Sequence, residues 1–211
     1  MQAFVENDVG MAFDHGSAAW VFDLDHWGVC GQGPDEAAAL ADLAVRVGSA
    51  VIVAERIRGD ERAFLRDRRP ATDQEWATTL TVLAAVRPQT IAFVQSHPEL
   101  LDRDDPNRAL PEFAGWRTLR QMAWHIADTE SRYYLPMAGL PGKQGVSDLL
   151  EELGSSHDHV TAVITSMAPD IDVATEGTEW TSTKLLRRLA WHERGELEAM
   201  TAMAERLEAA C

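Results

Sequence analysis

Leu119-Arg120-Gln121-Met122-Ala123-Trp124-His125 and Leu186-Arg187-Arg188-Leu189-Ala190-Trp191-His192 are two copies of one phrase, Leu-Arg-(Gln/Arg)-(Met/Leu)-Ala-Trp-His. Each copy ends in a His on a segment that reads as helix, and each lies downstream of another Trp, Trp116 or Trp180. The second copy continues Glu193-Arg194-Gly195-Glu196, which puts a carboxylate one helical turn beyond the imidazole. Leu185, Leu189, His192, Glu196, Ala199, Met203 and Leu207 follow one another at helical spacing and so share one face. That face is apolar at both ends and polar only at His192 and Glu196. Leu119, Met122, His125 and Thr129 form a similar face, flanked by Ile126 and Tyr133. A core built from both faces receives two imidazoles and one carboxylate, and a buried carboxylate is costly unless paired or ligated to a metal.

Two imidazoles and one carboxylate suit Zn²⁺, Ni²⁺, Fe²⁺ or Mn²⁺. Three protein ligands, His125, His192 and Glu196, leave coordination positions for water or substrate. Asp128, Glu130 and Glu193 adjoin these positions in sequence and are candidates for supporting the ligands or transferring protons. Periodicity alone leaves a plain hydrogen-bonded His–Glu core pair equally open. The other histidines do not compete: His157 and His159 point to different helix faces, His15 and His26 sit in turns, and His97 precedes a Pro. Trp116, Trp124, Trp180 and Trp191 read as helix-packing residues. Arg120, Arg187, Arg188 and Arg194 read as a solvated face or as partners for the excess acid.

Outward from this pair of helices, the chain after Asp73 is helical throughout. A first helix runs from Asp73 to His97-Pro98, with Arg87-Pro88 as a kink position. A polar loop covers Asp102–Pro111. The second helix runs from Thr118 to about Tyr134, the third spans Val146–Met167 with Ser147 as N-cap, a loop covers Ala168–Glu179, and the fourth runs from Ser182 to Ala209. This describes a four-helix bundle over residues 72–211. Residues 1–66 have another rhythm. Ala3–Val5, Met11–Phe13 and Ala18–Leu24 read as strands, Gly28–Gly33 as a short strand or Gly-rich loop, Ala37–Val47 as a helix begun by Pro34-Asp35-Glu36, and Val51–Val53 as a strand. The order β-β-β-α-β is a small α+β unit. The charged stretch 58–72 is the junction, with Phe64 and Leu65 available to tack it down.

The chain has 211 residues, 45% hydrophobic, with a formal net charge of -15. Such an acidic chain repels a phosphate backbone, so nucleic-acid partners are not expected. The Gly-rich loop lacks the Lys-Ser/Thr of a phosphate cradle. Two cysteines, Cys30 and Cys211, make no disulfide framework and no Cys-based zinc site. No signal peptide and no apolar run near the roughly 20 residues of a bilayer span stand out, so the expected setting is the cytoplasm, away from a membrane.

Phe22-Asp23-Leu24-Asp25, Gly28-Val29-Cys30-Gly31-Gln32-Gly33 and Asp35-Glu36-Ala37 resemble the HicB-like family of small domains with a partial ribonuclease-H-like fold, although Asp25-His26-Trp27-Gly28 replaces the family's Pro-Gly turn. This resemblance implies a scaffold or regulatory module. From about 72 to 209, Gly115–Asp128 and Glu179–Glu196 resemble the DinB-like (DinB/YfiT-type) metal-binding four-helix bundles, with a Trp-Arg-Thr or Trp-Thr opening each helix. It implies a divalent metal on His125 and His192, with Glu196 standing where the family usually has His. It further implies a homodimer and, for members of known activity, thiol S-transferases and thiol-dependent isomerases using a low-molecular-weight thiol cosubstrate. The expectation is therefore a metal-dependent transferase, isomerase or hydrolase acting on a small molecule. The alternative is a non-catalytic binding or regulatory protein with a HicB-like interaction module and a dimerising bundle.

Overall fold

The computed structural model describes all residues except Asn107, Ala109, Ala210 and Cys211, so the second cysteine and part of the Asp102–Pro111 loop lie outside the described residues. An N-terminal mixed sheet of four strands is followed by a helical C-terminal part. Strands β1 (Gln2–Val9), β2 (Gly16–Trp20) and β3 (Cys30–Gly33) precede helix α1 (Glu36–Arg46), and β4 (Ile52–Arg58) completes the sheet. The strand order is β3-β2-β1-β4, with β1 parallel to β4 and antiparallel to β2. The expected β-β-β-α-β order is present, but Met11–Phe13 is not a strand. Ala12 donates its N–H to the Gln32 side chain at 3.0 Å instead of entering a ladder. The run Ala18–Leu24 leaves the sheet after Trp20 because Asp23 caps a single 3₁₀ turn, Leu24–His26.

The two sheet faces have different partners. Ala3, Val5, Ala19 and Val21 pack on Ala39, Leu43 and Val47 of the α1 region. Gly31 permits this approach: a Cβ there would lie 2.3 Å from Ala39 O and from Leu43 N. The Gly-rich stretch is thus a strand trimmed to admit a helix backbone. Val9, Ala18, Trp20 and Cys30 form the opposite face with Phe64.

The helical part comprises α2 (Asp73–Ser96), α3 (Leu119–Asp128), a π-helical turn (Thr129–Tyr134), α4 (Leu135–Met137), α5 (Leu149–Ser166) and α6 (Ser182–Ala209). α2 packs on α5 and α6, and α3 packs on the same two helices. Thr72 starts α2 with a capping box to Glu75, and Thr118 starts α3 with one to Gln121. The third expected helix is capped by Asp148, not Ser147: the Asp148 carboxylate accepts from Glu151 N–H at 2.9 Å. The expected loop Ala168–Glu179 contains a hairpin, β5 (Asp172–Thr175) with β6 (Thr178–Thr181), turning at Gly177 with φ +84°. By length and composition alone, α2 is long and apolar enough to cross a membrane. In the structure it carries the buried, ion-paired Arg87.

The sheet and the helices are joined by buried charge. Arg187 and Arg188 of α6 reach the sheet face opposite α1, so of the two sequence readings, a solvated face or partners for the excess acid, they follow the second. Arg188 pairs with Glu6 of β1 at 2.8 Å, Arg187 with Asp67 of the junction at 2.8 Å, and both lie over the Trp20 ring. Arg120, by contrast, keeps its expected exposed pair with Asp102, and Arg194 donates to the Trp27 carbonyl. Phe64 anchors the junction while Leu65 is exposed. Gly28, at φ +78°, sits where a Cβ would meet the backbone of Ala190 and Trp191, locking the loop against α6.

Lys184 is buried under the junction, donating to the carbonyls of Arg62 and Glu179. Burial pushes its pKa down to about 8. The folded group releases its proton at a lower pH than the unfolded one, so between about 8 and 10.5 the unfolded chain binds more protons and stability rises with pH. Relative to Lys184→Met, the wild type is expected to gain stability across this window in urea titrations. Parallel pH profiles of the two chains would contradict the assignment.

Candidate functional site

α3 and α6 bring the two repeated histidines together. His192 Nε2 and His125 Nε2 lie 3.3 Å apart, and Glu196 Oε1 is 3.9 Å from His125 Nε2. One ligand atom from each of the three residues falls within 4.8 Å of the others. The helical face read from sequence does point inward: His192 is 2% exposed, and the side chains of His125 and Glu196 are 18% and 17% exposed. Glu196 Oε2 is buried without a hydrogen-bond partner. An orphaned carboxylate oxygen beside two imidazole nitrogens is a donor set that fits a divalent cation, so the residues suit the metal their types suggested.

The surroundings orient each donor. His192 Nδ1 lies 3.1 Å from Glu130 Oε1, which leaves the Nε2 lone pair facing the trio. His125 Nδ1 contacts Thr129 Oγ1 at 3.0 Å. Trp116 stacks on the His125 ring at 3.6 Å between centroids. Burial drives the pKa of both histidines down to about 3, and their mutual proximity adds to the effect at His125. Both are therefore neutral, as ligation requires. Burial pushes the Glu196 carboxyl up to about 7, opposed by the Arg108 charge.

The three neighbouring carboxylates behave differently. Glu130 joins the site. Asp128 does not: it is exposed and pairs with Arg132 at 2.5 Å. Glu193 also turns away from the trio and takes both Nε and Nη2 of Arg87, at 2.8 and 2.7 Å. For Glu130 the physical reason is the π-helical turn in which it lies. Its extra residue lets the N–H of Leu135 bond to the Glu130 carbonyl, five residues back, and rotates Glu130, Ser131 and Tyr134 into the interior. Tyr133, expected beside His125, is 42% exposed. Arg87, read from sequence only as a kink position, links Glu130 to Glu193, and the repeated Ala-Trp-His gave no signal for it.

The trio opens on a cavity of about 860 Å³. Its walls come from both parts of the chain: Met11 and Gln32 from the sheet unit, Glu61 from the junction, and Phe113, Trp116 and Trp191 from the helical part. Glu61 accepts hydrogen bonds from Tyr133 Oη and, at 2.9 Å, from Trp180 Nε1. Cys30 is buried and burial pushes its thiol pKa up, so it is not a nucleophile for this cavity. Among the described residues, His125, His192 and Glu196 form the metal-capable cluster; His15, His26, His97 and His159 instead contact Asp8, Asp23, the Phe93 carbonyl and the Pro141 carbonyl.

No protein-family model matches the chain, and no curated protein or solved structure shows significant similarity to it.

Proposed function

We propose that this chain is a metal-dependent enzyme of the DinB-like class, in which His125, His192 and Glu196 hold a divalent cation (Zn, Ni, Fe or Mn) at the floor of a small-molecule cavity. The helical part is then a four-helix bundle of that type, and residues 1–66 a HicB-like unit that walls the cavity. The observation that carries the reading is the orphaned Glu196 Oε2 beside two neutral, inward-facing imidazoles. When bound, the cation would supply Lewis-acid character, acidifying a water or low-molecular-weight thiol or polarising a carbonyl.

The protein's own side chains supply the rest. Glu130 holds His192 in one tautomer, and Arg87 holds Glu130 in place at 2.6 Å. Trp116 restrains the His125 ring. The aromatic walls limit water around the reacting atoms. A homodimer in the cytoplasm belongs to the same proposal. Elemental analysis of untagged protein tests it: about one divalent cation per chain is expected, following the one three-residue ligand set. Glu130→Gln is expected to weaken the metal by roughly 10–100-fold, read by competition with a chromophoric chelator. An unchanged affinity would remove Glu130 from its role.

One observation favours the non-catalytic alternative. At 3.3 Å, one Nε2–H can donate to the other Nε2 with no ion between them. Metal-free purified protein that shows no thiol-dependent turnover of an electrophile would favour a binding or regulatory role.

A further inference from the structure

We propose that the cavity takes a small organic carboxylate and that Arg108 binds its anionic end. The inference rests on the metal-site reading in placing the reacting part of that molecule at His125, His192 and Glu196.

Three guanidinium groups line the cavity: Arg108, Arg188 and Arg206. Arg206 is neutralised by Asp105 at 2.9 Å and Arg188 by Glu6 at 2.8 Å. Arg108 is different. Its Nη1 donates to the Trp116 carbonyl at 2.8 Å and touches Met203 Sδ at 3.9 Å, and no described carboxylate lies within ion-pair distance of it. This is a half-buried, uncompensated cation in a chain with 34 acidic and 19 basic side chains. Burial works against its charge, with Glu196 the leading favourable influence. A guanidinium keeps its proton regardless, so the charge is available to a ligand.

Position makes that charge useful. Arg108 lines the same cavity as His125, His192 and Glu196. It also hangs from the carbonyl of Trp116, the residue stacked on His125. A ligand whose carboxylate meets the free edge of Arg108 therefore lies along Trp116 with its other end at the imidazoles. Phe113, Trp191 and Met11 supply apolar wall for a flat or hydrophobic body. The charge balance selects a carboxylate over a phosphate ester. Asp60, Glu61 and Glu196 line the same cavity and repel ligand charge, so a carboxylate with one negative charge meets less repulsion there than a phosphate ester of about −1.5 to −2.

The cavity tryptophans provide the readout. Intrinsic fluorescence of the full chain is followed while 3-phenylpropionate, its neutral amide, or phenyl phosphate is added, with and without prior EDTA treatment. The acid is expected to bind roughly tenfold or more tighter than the amide in both states, the scale of one charge-assisted hydrogen-bonded pair. Arg108→Gln is expected to abolish the difference, and Arg108→Lys to keep part of it, because Lys supplies the charge without the planar fork. Equal binding of acid and amide by the wild type overturns the proposal, as does an undiminished acid preference in Arg108→Gln. A preference that disappears with EDTA overturns it too, since the carboxylate then sits on the metal. Tighter Arg108-dependent binding of phenyl phosphate overturns the choice of carboxylate. If the protein purifies without metal yet shows the Arg108-dependent preference, this proposal stands and the metal reading alone falls.

Discussion

His192→Ala is expected to bring the metal content from about one divalent cation per chain to background. The loss in affinity should exceed the roughly 10–100-fold that follows removal of an outer partner, because a direct ligand is gone. His192 supplies the Nε2 atom nearest His125, and its Nδ1 is the contact that connects the trio to Glu130 and Arg87. Removing the ring leaves a void and strands Glu130 Oε1, at a folding cost of about 1–3 kcal/mol. His125→Ala separates the two consequences, since His125 is less buried and its Nδ1 contacts only the local Thr129 hydroxyl. Both variants should lose metal, and His192→Ala should be the less stable. Equal, negligible metal in wild type and both variants would sink the metal-site reading.

Arg87→Met is expected to destabilise the fold by about 3–5 kcal/mol, the scale of breaking a buried pair by removing one partner. Arg87 is 1% exposed and every N–H of its guanidinium is used. Nε and Nη2 hold Glu193, Nη2 also holds Glu130, and Nη1 donates to the Leu153 carbonyl at 2.7 Å and to Ser156 Oγ at 3.0 Å. Burial works against the charge on Arg87, but Glu193 and Glu130 outweigh it and hold its pKa up. Even with this partner, burial lifts the Glu193 carboxyl to about 7 and raises that of Glu130. Without it, both acids would fold in their protonated forms. A carboxyl with a raised folded pKa loses stability as pH rises from its unfolded value toward the folded one. The deficit of Arg87→Met should therefore be larger at pH 8 than at pH 5.5 in urea unfolding. A deficit below about 1 kcal/mol at both pH values, the worth of an exposed pair, would show that the network does not stabilise the fold.

Much of this was readable from particular residues. The spacing from Leu185 to Leu207 predicted which face of α6 turns inward, and the structure buries or half-buries each of its members. The start of α3 near Thr118, the Asp35 start of α1 and the bounds of α6 follow from local chemistry, which a linear reading captures. The hairpin of β5 and β6 escaped because Asp172–Thr181 carries no apolar alternation, and its pairing is largely solvent-facing. For Arg187 and Arg188 the sequence left a solvated face and pairing with acid both open, because their partners Asp67 and Glu6 are more than a hundred residues away.

The sequence by itself determined the helical faces, and so the presence of His125, His192 and Glu196 in one core, because side-chain direction along a helix depends only on spacing. Tertiary structure decided which neighbours serve them. The π-helical turn sends Glu130 to His192; Asp128, just before that turn, goes to solvent, and Glu193, on α6, goes to Arg87. It also decided that the sheet unit walls the cavity and that Arg108 stands in it with no described carboxylate at ion-pair distance. Such pairings depend on distances between segments far apart in the chain, and no local periodicity encodes them.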